Sequence, residues 1–161
     1  MIQHVLELAA RLRSERFPLV ARQGDFWARN LLGQGRAVSV VDWEHAQPSG
    51  APFADLFMFI TSYGLSFPWQ MGHWAEPTAA FRATYLQRTW LSKLVRQALR
   101  SYCRAMQVSP ALLEVFFPVF LVERALEERE QLAREPRRST VRIWRALVLE
   151  YARQGGSVCF E

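Results

Sequence analysis

The chain alternates between two kinds of hydrophobic spacing. Val5, Leu6, Ala9 and Leu12 recur at helical intervals, with Glu7, Arg11 and Arg13 turned away, which predicts an amphipathic helix over 2–13. Phe17-Pro18 ends it, and 19–22 reads as extended. A polar loop follows over 23–30. Leu31-Leu32, the Gly33-Gln34-Gly35-Arg36 turn and the apolar run 37–41 read as strand, turn and strand. Pro48, Gly50 and Pro52 mark a loop, and an apolar helix is expected over 53–62. Residues 64–77, rich in Gly, Pro and Trp, read as a second loop.

Beyond it the periodicity is helical to the end, over 78–106, 110–134 and 139–153. Breaks fall at Val108-Ser109-Pro110 and Glu135-Pro136-Arg137, with Ser109 as the expected N-cap and Pro110 at the first helical position. Phe116, Phe117, Phe120 and Leu121 predict a core-facing stripe. Glu123, Glu127, Glu128 and Glu130, alternating with Arg124, Arg129 and Arg134, predict a solvated helix face. The expected fold is mainly α (α+β): a small β-hairpin set among helices. A single domain covers 1–161, with a loop-rich region over 1–62 and a helical region over 78–153.

Composition narrows the classes. The 161 residues are 50% hydrophobic and 22% charged, an ordinary globular balance that excludes wholesale disorder. The longest apolar run, 111–122, is shorter than the roughly 18 residues of a membrane-spanning helix and carries Glu114 and Pro118. No secretory signal is read at the start, and the two cysteines, Cys103 and Cys159, suggest neither a metal cluster nor a disulfide scaffold, so a cytoplasmic location is expected. The net charge of +5 admits acidic partners. Nucleic acid is not expected, because the basic residues are spread over the whole chain and Arg137-Arg138 is too short a patch. Of the 20 basic residues all but Lys93 are Arg, so no chemistry needing an earlier lysine is available within the chain.

The candidate chemistry lies in the hairpin. Asp25 and Asn30 are five apart in the polar loop, and Asp42 ends the second strand, so the hairpin returns three oxygen-bearing side chains to one end. Carboxylate and amide oxygens suit Mg²⁺, and a further carboxylate can accept a hydroxyl proton. Gln23-Gly24-Asp25-Phe26-Trp27-Ala28-Arg29-Asn30-Leu31-Leu32, Val40-Val41-Asp42-Trp43-Glu44 and Ala54-Asp55-Leu56 resemble, in order and spacing, the aminoglycoside phosphotransferase and choline kinase family. The resemblance covers about 1–62. It implies the C-terminal lobe of a protein-kinase-like phosphotransferase, transferring phosphate from ATP to a hydroxyl of a small molecule with Mg²⁺.

Carried over by position, the resemblance makes Asp25 the catalytic base. Asn30 and Asp42 are the metal and nucleotide ligands, and Gln23 and Asp55 support the loop. Glu44 is a candidate on the substrate side. Gln23 stands where the family has His and keeps the ability to hydrogen-bond. Arg29 replaces a small residue. The chain shows no Gly-rich phosphate loop and no N-terminal nucleotide lobe. It therefore reads as truncated, with a partner chain as one source of the missing lobe and weak or no ATP turnover alone. The alternative is a catalytically inactive kinase-like binding or scaffold module. Trp69, Trp74 and Trp90 are candidates for a substrate-facing aromatic group, and Trp43 and Phe26 for packing around the hairpin.

Overall fold

The structure is a computed structural model that describes residues 2–70, 76–134 and 142–155. It is mostly helical, with two small two-stranded antiparallel sheets. Helix α1 spans Ile2–Arg11 and strand β1 Val20–Arg22. Strands β2 (Leu31–Gln34) and β3 (Ala37–Val40) form the expected hairpin, with Leu31 opposite Val40 and Gln34 opposite Ala37. Gly35 takes φ +62° at the first turn position, where a side chain would be strained. Strand β4 (Gln47–Gly50) pairs with β1, and helices α2 (Ala54–Gln70), α3 (Pro77–Phe81), α4 (Trp90–Met106), α5 (Leu112–Arg134) and α6 (Ile143–Arg153) follow.

One hydrophobic cluster joins α2 to α6. Phe117 of α5 lies at its centre, with ring centroids 4.6 Å from Tyr85, 5.1 Å from Phe57 and 5.6 Å from Tyr151. Inside it the Tyr85 hydroxyl hydrogen-bonds Thr61 at 2.8 Å, so the buried polar pair satisfies itself. Phe53 enters α2 with φ +74°, a conformation costly for a bulky residue. Its ring is buried against Phe57, Tyr102 and Phe116, and that packing offsets the strain.

Several boundaries differ from the sequence reading. Residues 64–70, expected in a loop, extend α2, because Gly64 is a contact residue here. A Cβ on it would collide with the Thr84 hydroxyl, so the missing side chain lets α2 approach the turn over 82–86. The helix expected over 78–106 is interrupted. After α3 the chain makes a π-helical turn over Arg82–Leu86 and leaves the helix. A reciprocal cap then starts α4: Thr89 Oγ1 accepts from the Ser92 N–H and Ser92 Oγ from the Thr89 N–H, both at 3.0 Å.

Residues 47–50, read as loop, form β4. Their composition carries no strand signal, and pairing with β1 makes the strand. Helix α1 stops at Arg11 rather than 13 and α5 starts at Leu112 rather than 110, with Ser109 Oγ accepting from the Ala111 N–H at 3.3 Å ahead of it. Asp42 lies beyond the end of β3. The expected helix start at 139 and the loop over 71–75 lie outside the described residues.

The acidic face of α5 needs one correction. Glu123, Glu127 and Glu130 are exposed, but Glu128 is buried. Its two carboxylate oxygens accept the backbone N–H groups of Trp144 and Arg145, each at 3.2 Å, which caps the start of α6. At the other end of α6, buried Glu150 accepts from Arg82 Nη1 at 3.0 Å.

Two outcomes follow from this packing. Gly64→Ala inserts a methyl group against Thr84 and is expected to cost about 1–3 kcal/mol, read as a lower urea midpoint. The hydrogen bond from Arg82 holds the Glu150 carboxyl below its ordinary value of 4.5, against the opposing effect of burial, with Gln154 assisting. A depressed carboxyl stabilises the fold at neutral pH, and that contribution is lost as pH falls through the folded-state value. Glu150→Gln is therefore expected to lower stability at pH 7 and to flatten the loss of stability below about pH 4.5. A variant whose acid limb is as steep as the parent's would show that another group controls it.

Candidate functional site

Four elements converge on the polar loop. Strand β1 leads into it, a 3₁₀ turn over Ala28–Asn30 leaves it for β2, β3 returns beside it, and the first turn of α2 lies behind it. Asp55, in that first helical turn, accepts the backbone N–H of Gln23 with Oδ2 at 2.6 Å and that of Gly24 with Oδ1 at 3.1 Å. Both oxygens of this carboxylate are therefore engaged, and its charge also complements the positive end of α2. Arg22 Nε stands 4.0 Å from Asp55 Oδ1 and has no hydrogen-bond partner.

Gln23 does the rest of the bracing. Its side-chain N–H₂ donates to the carbonyls of Val41 (3.1 Å) and Asp42, and its Oε1 accepts the backbone N–H of Asp25 at 2.9 Å. One amide thus ties the loop to the end of β3 and fixes the backbone beside Asp25. An imidazole at this position offers one donor and one acceptor when neutral, and the glutamine keeps both kinds of bond. Gly24 adopts φ +90°, and a Cβ there would run into the carbonyl of His45, so the loop and the segment after β3 touch through this glycine.

Asn30 is buried. Its Nδ2 donates to the Asp25 carbonyl at 2.8 Å, and its own carbonyl accepts the Val41 N–H at 3.0 Å. The structure therefore brings Asn30 to the backbone of Asp25 on one side and to the residue before Asp42 on the other. Asp42 has φ +62°, a left-handed conformation that aspartate tolerates better than most residues. Among the described residues, no hydrogen bond or ion pair engages the carboxylates of Asp25 and Asp42 or the Oδ1 of Asn30, whereas Asp55 is fully engaged. The loop thus divides its oxygens into those that hold it and those that remain free. That division is the chemical content of the site: free oxygen ligands on a backbone held by second contacts.

Glu44 is exposed, and its one polar contact among the described residues is with His45, at 3.4 Å. Phe26 packs on Phe59, with centroids 6.0 Å apart. Trp43, expected to pack around the hairpin, is instead 56% exposed, and its indole N–H donates to the Val40 carbonyl at 2.9 Å. Arg29 does not crowd the loop: its guanidinium stacks over the Trp27 ring at 5.1 Å. Trp90 is exposed, with Phe67 5.4 Å away, and the side chains of Trp69 and Trp74 lie outside the described residues.

Sequence reasoning missed Ser62. Its hydroxyl accepts the Ala28 N–H at 2.9 Å while donating to the Phe59 carbonyl, and this pins the 3₁₀ turn to α2. A serine inside an apolar helix was the available signal. No family model, no curated protein and no solved structure matches this chain.

Asp55→Asn replaces a double acceptor with a group that presents an N–H₂ to a backbone N–H. The expected loss is about 1–3 kcal/mol of stability, with faster hydrogen exchange at the Gln23 and Gly24 amides. Unchanged exchange at those two amides would remove Asp55 from the loop's support.

Proposed function

We propose that this loop cluster is the Mg²⁺-dependent phosphoryl-transfer site of a kinase-like C-terminal lobe, moving phosphate from ATP to a hydroxyl of a small molecule. The observation that carries the reading is the division of oxygens in the loop: Asp55 and Gln23 are consumed in bracing, while Asp25, Asp42 and Asn30 Oδ1 are left without partners. The resemblance of the three segments to aminoglycoside phosphotransferases and choline kinases supports it independently.

By residue type the donor set suits a hard divalent cation, while no group of three or more His, Cys, Asp or Glu side chains able to hold one occurs among the described residues. The set is all oxygen, it includes one carboxylate and one amide, and it leaves positions for water and phosphate, as Mg²⁺ prefers. Asn30 and Asp42 would hold the ion. When bound, it neutralises charge on the nucleotide phosphates. Asp25 lies on the rigid side of the loop, with its backbone N–H and carbonyl both engaged, and receives the acceptor hydroxyl and its proton. Positioning and charge neutralisation account for most of such catalysis, so a braced loop with free carboxylates is the relevant asset.

A second reading, a binding or scaffold module without turnover, is favoured by one observation. The 161 residues hold a single lysine, Lys93, exposed on α4, and no Gly-rich phosphate loop. In the catalytic reading, a further segment or partner chain supplies the remaining contacts to the nucleotide phosphates.

Titration with Mg²⁺-ATP separates the two. The catalytic reading expects saturable binding at millimolar nucleotide that Asp42→Asn weakens by about tenfold or more, the size of one lost charge-assisted contact. In a longer protein or complex that supplies those remaining contacts, Asp25→Asn is expected to leave that binding intact and to lower phosphate transfer by about 10²–10⁴-fold. Absence of saturable Mg²⁺-ATP binding, or full transfer activity in Asp25→Asn, would overturn the proposal.

A further inference from the structure

Far along the chain from the loop, α5 and α6 flank a half-open recess of about 560 Å³, with most of its lining side chains exposed. Val122, Leu126 and Val148 supply apolar wall, and Arg129, Arg142 and Arg145 border it. None of these three guanidinium groups has a hydrogen bond or ion pair with another described residue. Among the described lining residues the one carboxylate is Glu128, whose two oxygens accept the backbone N–H groups that open α6 and which forms no ion pair with these arginines.

The combination is specific in its demands. An apolar ligand would make no use of the three exposed guanidinium groups at the border. A small polar anion would leave the aliphatic wall in contact with water. A molecule with a planar anionic head and a hydrocarbon tail satisfies both, since guanidinium forks match carboxylate geometry and the tail removes Val122 and Leu126 from solvent. Leu126 is 45% exposed while facing this recess, an apolar surface without a partner among the described residues. The recess between two helices suits one chain rather than a bilayer surface.

We propose that the α5–α6 cavity binds a single-chain anionic amphiphile of the medium-chain carboxylate class. This inference does not depend on the phosphotransferase reading, because none of its residues belongs to the loop cluster.

Isothermal titration of the full chain with decanoate below its micelle concentration tests it, with decanol as the neutral comparator. Saturable one-to-one binding of decanoate is expected, with decanol about tenfold weaker or worse. The double variant Arg129→Gln, Arg145→Gln should reduce decanoate affinity by tenfold or more and leave decanol unchanged. Arg88→Gln, an exposed arginine outside the cavity, should change neither. An unchanged circular dichroism melt of the double variant would assign the loss to the site. Leu126→Asp should weaken both ligands. Equal affinity for decanoate and decanol, an equal loss from Arg88→Gln, or binding to anionic vesicles without uptake of monomeric decanoate would each overturn the proposal.

Discussion

Everything about the loop cluster depends on one carboxylate at the start of a helix. Asp55 accepts two consecutive backbone N–H groups, those of Gln23 and Gly24, and so welds the polar loop to α2. Helix α2 is in turn fixed by the core through Phe57, Met58 and Ile60. The rigidity of the loop is therefore borrowed from hydrophobic burial, passed on through two hydrogen bonds. A loop with free carboxylates and no such anchor would relax toward satisfying them locally, because aspartate side chains readily bond nearby backbone groups.

The same economy runs through the rest of the fold. Buried polar groups are used in pairs that leave little unsatisfied: Glu128 caps α6, Glu150 meets Arg82, and Thr61 meets Tyr85. Strain is confined to few places. Asp42, Phe53 and Gln107 take left-handed backbone conformations, one beside the free carboxylates, one under the core and one closing α4. Phe53 is held by the packing of three neighbouring rings. Asp42 is held by the Gln23 amide, which donates to its carbonyl.

How far the sequence could be read depended on the range of the forces involved. The β2–β3 hairpin was legible because a glycine turn and two apolar runs specify it locally. Asp25, Asn30 and Asp42 could be singled out because their spacing around the hairpin survives in the linear text, whereas Gln23 and Asp55 stood out only through the resemblance of the motif segments. Strand β4 was not legible, since Gln47-Pro48-Ser49-Gly50 is a strand only by virtue of the partner it finds in β1. Gly64 fell in a segment that read as loop, and its role in α2 appears only when Thr84 is placed opposite it. Glu128 looked like one acid of a solvated row until α6 folded over it.

The chain's own text, through hydrophobic period, turn residues and motif spacing, determined a mostly helical protein with a small hairpin carrying oxygen-bearing side chains. Those are local properties, set within a few residues by backbone sterics and the burial of one face. Tertiary structure alone decided which of those oxygens are free and which are spent. Hydrogen-bond partners 19 to 32 positions apart, as between Gln23 and Asp42 or Asp55, are chosen by packing in three dimensions, and no local pattern encodes them.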